Sequence, residues 1–315
     1  MLLRSGIAVR LVAVFVGAAG LGVLAAVLFG GAFDDEAATQ IGGNGQPEVL
    51  LAAGDIAECP TNGDEATARI VERFPEATVA TLGDNAYPDG SEVDFVRCFE
   101  PSWGQFRERI RPATGNHDFH TTDAAAFSEY FGEAAGAFDK YYYSYDLGAW
   151  HVVVLNSDCW RVDGCELEDP QIQWLRDDLA GSAAQCTLAY MHRPPFSSGR
   201  YGEPKDTKRV RPIWQALYEE GVDVLLTGHE HSYERFTPMN AEGDPDDERG
   251  VRLFVVGTGG GNLRKFKYEP LPTSESRNDE TWGVLKLALH SDGYEWEFLP
   301  VAGKTFEDSG SWTCH

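Results

Sequence analysis

Positive charge is scarce in this chain: 26 lysines and arginines stand against 50 aspartates and glutamates, for a formal net charge of −24 over 315 residues. Nucleic acid and anionic lipid would be repelled, which excludes non-specific binding to either as the function. None of the six cysteines forms a C-x-x-C pair, which argues against a structural zinc knuckle. The Gly-rich stretch Gly257–Gly261, GTGGG, is not part of a G-x-x-x-x-G-K-[ST] phosphate loop and reads as a turn. No internal repeat is visible. With 43% hydrophobic residues and 34 glycines, what remains is a globular, loop-rich chain.

One long apolar run stands out. Arg4 and Arg10 precede Leu11–Phe33, which carries no charge and is followed at once by Asp34, Asp35 and Glu36. A helix of that length spans roughly 30 Å of hydrocarbon. The arginines stay inside, which puts the rest of the chain outside. The length favours an uncleaved anchor over a cleaved signal peptide, whose apolar core is about 7–15 residues. Both readings export the domain. Residues 1–33 are therefore expected to be a signal-anchor or signal peptide, 34–46 a flexible acidic linker, and 47–315 one domain. An even number of cysteines in an oxidising compartment predicts disulfides. Six allow fifteen pairings; the reading adopted joins Cys159 to Cys165 across CWRVDGC and Cys59 to Cys98 between two strand-end loops, leaving Cys186 with Cys314.

After Pro47, short apolar runs alternate with amphipathic segments. Residues 48–55, 77–84, 110–118, 186–192 and 222–229 read as buried strands with polar ends. Residues 62–74, 171–179 and 210–220 read as helices, 141–158 as a hairpin, and three β-rich runs close the chain. Strands alternating with helices argue for a largely parallel sheet, while the hairpin and tail argue for a second sheet or antiparallel edges.

Polar residues punctuate the C-terminal ends of these strands: Asp55, Asp84, Asn116 with His117, His192, then His229 with His231. Ligands of open α/β sheets sit beyond such ends. Singly, Gly-Asp after a strand is an ordinary turn. The ordered set GD55, GD84NAY87, GN116H117D, H192RP and GH229EH231 resembles the calcineurin-like metallophosphoesterase superfamily, and within it the purple acid phosphatases. The first block lacks the D-x-H histidine of many relatives; the second supplies Tyr87 instead, as in the purple branch. The resemblance spans Asp55 to His231 and does not extend to the additional N-terminal β-domain of the plant enzymes.

The resemblance implies a four-layer αββα sandwich of two mixed β-sheets flanked by helices, with 47–315 as the catalytic domain. It also implies a dinuclear metal centre. One metal takes Asp55, Asp84, Tyr87 and His231, and the other takes Asp84, Asn116, His192 and His229, with Asp84 bridging. A phenolate among carboxylates suits iron(III), and two imidazoles with an amide suit Fe²⁺, Zn²⁺ or Mn²⁺. Two carboxylates, a phenolate and a bridging hydroxide leave a trivalent–divalent pair with about one net positive charge, which favours a phosphate anion. The implied reaction is hydrolysis of small phosphate monoesters by a metal-bound hydroxide, with His117 as general acid and Asp118 orienting it. A phosphodiesterase on the same centre, or a surface protein with a structural metal cluster, are the rivals. No nucleic-acid or protein partner is expected, and the membrane is met only through the N-terminal helix.

Other residues take plainer readings. His151 in WHVVVLNS is a packed strand histidine. His120 lies near the site mouth, and His290 and His315 are surface or structural. Arg193 is placed beside the phosphate, while Arg200 is solvated. Tyr141–Tyr143 pack the hairpin. Glu230 points away from the metals, with Tyr233 and Arg235 supporting the turn behind them.

Overall fold

Side-chain alternation in β1 (Glu48–Ala53) decides the layering: Leu50 and Ala52 face one core, Leu51 and Ala53 another. Burying each leucine contributes roughly 1.5–3 kcal/mol, so a one-residue slip, which exchanges the two faces, is strongly disfavoured. The computed structural model describes residues 45–315. The apolar run expected to be an anchor or signal peptide over 1–33, and most of the linker over 34–46, lie outside the described residues. Among the described residues no helix is long and apolar enough to cross a membrane.

Strand β1 is followed by the helix Gly63–Val71, then by β2 (Thr78–Leu82) and β3 (Ile110–Ala113), all three strands running parallel. A hairpin, β4 (Tyr143–Leu147) and β5 (Trp150–Val154), opens the second sheet. Next come β6 (Cys186–Tyr190), β7 (Val224–Thr227), β8 (Tyr233–Phe236), β9 (Arg252–Val256) and β10 (Ser274–Asn278). Within that sheet β5, β6, β7 and β9 are parallel neighbours, and β4, β8 and β10 add antiparallel edges. Finally β11 (Gly283–Leu289), β12 (Gly293–Pro300) and β13 (Ser309–Thr313) return to the first sheet. The strand orders are β13-β12-β11-β1-β2-β3 and β10-β8-β9-β7-β6-β5-β4.

Between the sheets, Leu50, Leu82 and Leu287 pack with Val152, Leu188, Leu226 and Phe254. On the outer face of the first sheet, Leu51 and Val79 meet Ile70, Phe99, Trp103 and Phe127. On the outer face of the second, Val153 and Leu225 meet Leu175, Ile213 and Trp214 from the helices Pro170–Gly181 and Arg211–Glu219. Each of those two helices begins with a proline in its first turn, where a missing N–H is harmless. The result is two mixed sheets between helical layers. Three disulfides are present, Cys59–Cys98, Cys159–Cys165 and Cys186–Cys314, and they are the pairs anticipated.

His151 sits on β5 with Nδ1 2.8 Å from Asp146 and Nε2 2.8 Å from Asp178, which ties the hairpin to the helix behind it. Burial opposes its charge, but the two carboxylates prevail and raise the imidazole above its usual 6.5. A raised folded value means that this contribution is complete below about pH 6.5 and is lost as pH rises through the raised value. His151→Gln is therefore expected to lower stability by about 1–2 kcal/mol at pH 5.5. The gap to the unsubstituted chain should narrow by pH 9, as read from denaturant midpoints at the two pH values.

Candidate metal centre

The parallel strands of both sheets bring their C-terminal ends to one edge. Asp55 follows β1, Asp84 and Tyr87 follow β2, Asn116 and His117 follow β3, His192 follows β6, and His229 and His231 follow β7. Asp55, Asp84 and His229 leave their strands with φ of 58°, 51° and 70°. Such left-handed backbone costs a non-glycine residue about 1–2 kcal/mol and is characteristic of functional turns. The turns touch directly, since Asp55 Oδ2 accepts the N–H of His229 at 2.7 Å across the seam between the sheets. Two glycines are dictated by close approach: a Cβ on Gly115 would lie 2.2 Å from Asp84 Oδ1, and one on Gly257 2.6 Å from Asp55 Oδ2. The stretch GTGGG is thus a ledge against Asp55, with the Gly261 N–H donating to the Asp55 carbonyl at 2.7 Å.

Two donor groups share Asp84. The Tyr87 hydroxyl lies 2.8 Å from Asp55 Oδ1, 3.1 Å from Asp84 Oδ2 and 3.1 Å from His231 Nε2. On the other side, His192 Nε2 is 3.3 Å from the same Asp84 oxygen and 3.2 Å from His229 Nδ1. Ligand atoms of Asp84, His192 and His229 all lie within 4.8 Å of one another. Asn116 Oδ1 is buried without a hydrogen-bond partner, a situation that costs about 1–3 kcal/mol unless something accepts its lone pairs.

Backbone carbonyls set the tautomers. A carbonyl only accepts, so His192 Nδ1 donates to Leu82 O at 2.9 Å and His231 Nδ1 donates to Asn262 O at 2.7 Å. Both Nε2 lone pairs are then left for a cation, the usual support of a metal-binding histidine. At His229, Arg193 Nη1 donates to Nε2 at 2.9 Å; were Nδ1 to hold a cation, the ring proton would sit on Nε2 and Arg193 would have to release the ring. Arg193 is itself held by Asp158, through Nε at 3.1 Å and Nη2 at 3.3 Å.

Burial works against charge on Asp84, yet His192, then His117 and His229, hold its carboxyl below the usual carboxylate range. Asp55 behaves alike, with burial overcome by His231. Burial, then Asp55 and Asp84, push the Tyr87 phenol well above 10. A phenol so placed gives up its proton only to a strongly charged cation among these oxygens. The donor set fits a pair of metal ions: two carboxylates held ionised, two imidazoles with fixed inward lone pairs, and an amide oxygen with no other partner.

His117 lies at the mouth. Its N–H donates to Asp84 Oδ1 at 2.8 Å, its Nδ1 donates to the Pro88 carbonyl at 2.5 Å, and its Nε2 is 3.9 Å from Asp84 Oδ2. The His120 ring stands 4.5 Å from it. Asp118, expected to orient His117, does not meet the ring. Its carboxylate turns inward, accepting from Gly115 N at 2.8 Å and Asn85 Nδ2 at 3.1 Å, because those buried donors need an acceptor. Burial, then Asp84, raises Asp118 to about 7.

Glu230 points away from the donor groups and accepts the N–H groups of Arg200 at 2.8 Å and Tyr201 at 2.5 Å. The Tyr201 ring stacks on His229 at 4.6 Å. Tyr233 and Arg235 belong to β8 and bond Asp308, at 2.6 and 2.8 Å, rather than the turn. Asn85, Asn262 and Tyr201 are site residues that sequence reading misses. Asn85 is within view, inside GDNAY; the other two lie in loops without a pattern.

The family model described as calcineurin-like phosphoesterase matches residues 36–233. The chain is 28% identical over 225 residues to purple acid phosphatase 21 of Arabidopsis thaliana, covering 63% of this chain and 49% of that protein. It is also 28% identical over 245 residues to acid phosphatase type 7 of Homo sapiens, covering 67% and 54%. The chain spans about half the length of the curated relatives it matches. Its structure is similar to that of purple acid phosphatase PPD1 from yellow lupin (Lupinus luteus) seeds, with TM-score 0.68 and 20% identity over 84% of this chain and 53% of that one. It is also similar to that of a dimetal phosphatase from Danio rerio, with TM-score 0.58 and 13% identity over 86% of this chain and all of that one. At these identities the structural likeness carries the fold.

If Asn116 Oδ1 is a ligand, Asn116→Leu should weaken one metal site by about 10–100-fold. Metal analysis of the full chain after dialysis is expected to fall from two ions per chain toward one. Two retained ions would remove Asn116 from the ligand set.

Proposed function

The chain belongs to the calcineurin-like phosphoesterase family, and from that membership we propose that it is a metal-dependent phosphomonoesterase of the purple acid phosphatase type, working outside the cytoplasm. The observation that carries this reading is the buried Asp84 carboxylate shared by two donor groups, with the Asn116 oxygen left over beside it. Asp55, Asp84, Tyr87 and His231 would hold iron(III), because hard anionic oxygens dominate that group. Asp84, Asn116, His192 and His229 would hold Fe²⁺, Zn²⁺ or Mn²⁺. A cation pair there supplies Lewis acidity toward a phosphate oxygen and makes water a competent nucleophile near neutral or acidic pH.

The chain's own residues do the rest. His117 holds its Nδ1 proton on the Pro88 carbonyl, so Nε2 is the atom that carries a second proton to the leaving alkoxide. Asp118 acts at one remove, bracing the Gly115 turn that carries Asn116 and His117. Arg193, oriented by Asp158, faces the His229 side, where a guanidinium complements a phosphate oxygen. Export is supported by the three disulfides, which persist in oxidising compartments, and by the apolar run over 11–33.

The test uses the full chain with its metals. p-Nitrophenyl phosphate should be turned over faster than its bis-ester; the reverse order would make the protein a diesterase. A visible absorption band from tyrosinate bound to iron(III) is expected and should vanish in Tyr87→Phe, whereas an active, colourless protein holding only divalent ions sinks the iron(III) assignment. His117→Ala should keep its metals and lose about 10²–10⁴-fold in kcat; undiminished turnover would remove His117 as the acid.

A further inference from the structure

A cleft of about 560 Å³ shares Tyr87, His117 and His231 with the metal centre. Its apolar lining is Pro60, Pro88, Val93 and the Cys59–Cys98 disulfide. Its charged lining is two carboxylates, Glu58 and Asp94, and two arginines, Arg97 and Arg264. The carboxylates are already engaged. Glu58 accepts the Asn262 N–H at 2.8 Å and its Nδ2 at 2.7 Å. Asp94 closes a capping box, accepting the Ser91 N–H at 3.1 Å and its hydroxyl at 2.7 Å.

The arginines are not so engaged. Among the described residues neither Arg97 nor Arg264 has a carboxylate at ion-pair distance. The side-chain hydrogen bond of Arg264 is a single one, from Nη1 to the Tyr201 hydroxyl at 3.2 Å, which leaves most of its guanidinium N–H groups free. In a chain with 50 acidic residues against 26 basic ones, two arginines without an ion-paired carboxylate among the described residues line the same cleft, and a guanidinium so placed suits an acidic group.

We propose that this cleft receives the alcohol part of the phosphate ester, and that Arg97 and Arg264 recognise a second anionic group carried on it. The substrate class is then a phosphomonoester with a compact apolar or aromatic body and a further carboxylate or phosphate. This rests on the phosphatase reading above. The apolar lining accommodates the body, the metal centre takes the ester phosphate, and the arginines select esters whose far end is charged.

The test separates binding from turnover. Calorimetry on the metal-loaded full chain compares phenylphosphonate with 4-carboxyphenylphosphonate and 1,4-phenylenediphosphonate, none of which is hydrolysed. The two ligands with a second acidic group should bind about tenfold tighter, and whichever is tighter identifies the group as carboxylate or phosphate. Arg97→Ala and Arg264→Ala should bring the ratio toward one, and Arg97→Glu should invert it. Because Arg264 also bonds Tyr201, the Arg97 variants decide if Arg264→Ala fails to fold. The kcat/KM ratio of 4-carboxyphenyl phosphate over phenyl phosphate should move in parallel. A binding ratio near one in the unsubstituted chain, or one unchanged in the Arg97 variants, overturns the proposal. Hydrolysis of neither ester with the binding ratio intact would overturn the phosphatase reading and leave the anion subsite standing.

Discussion

Two carboxylates, Asp55 and Asp84, are buried side by side at the seam of two sheets and joined through one tyrosine hydroxyl. A buried ionised carboxylate costs several kcal/mol unless donors surround it, and the local architecture follows from meeting that demand. Backbone N–H groups of His117 and His229 point at Asp84 and Asp55. His192 and His231 lie against the same two carboxylates. The left-handed turns at Asp55, Asp84 and His229 are the backbone cost of bringing these groups together, and Gly115 and Gly257 are the places where no side chain fits beside the carboxylates.

Such a site holds only if the two sheets keep their edges in step. Leu50, Leu82, Leu188 and Leu226 fill the space between them, and directional links reinforce the packing. The Trp150 indole on β5 donates to the His290 carbonyl beyond β11 at 2.6 Å. Arg235 on β8 grips Asp308, just before β13, through Nε at 2.8 Å and Nη2 at 2.9 Å. Cys186, at the start of β6, is bonded to Cys314, just past β13. These links join the sheets away from the metal centre, so a shift of one sheet edge against the other is resisted along the whole seam. The distances among Asp55, Asp84, His192 and His229 therefore depend on residues that never touch those side chains.

What is legible in the sequence is side-chain chemistry at strand ends. Asp55, Asp84, Tyr87, Asn116, His192, His229 and His231 each follow an apolar run, and parallel strands necessarily carry such residues to one edge. The apolar strands are legible for the same reason. Edge strands are not: Ser274–Asn278 and Ser309–Thr313 are polar and partly exposed, as edges generally are, so they lack the pattern that marks a buried strand. Strand β8 is hidden because it begins two residues after His231 and reads as part of the turn. The carbonyls of Leu82, Pro88 and Asn262 that orient three histidines carry no signature in residue identity. Asp118 misleads because adjacency to His117 suggests contact, whereas the buried Gly115 N–H and the Asn85 amide have the stronger claim on its carboxylate.

The charge of the whole molecule and the charges of its site act over different distances. At physiological ionic strength exposed charges are screened beyond about 8 Å, so most of the net −24 acts on what approaches the protein and little on what is already bound. Inside the crevice the balance is local. Asp55 and Asp84 are matched by imidazoles and suited to cations, Asp158 is matched by Arg193, and Glu58 and Asp94 in the adjoining cleft are occupied by N–H donors. The charge of the whole molecule thus acts on what approaches, while these local pairings decide what the crevice can hold.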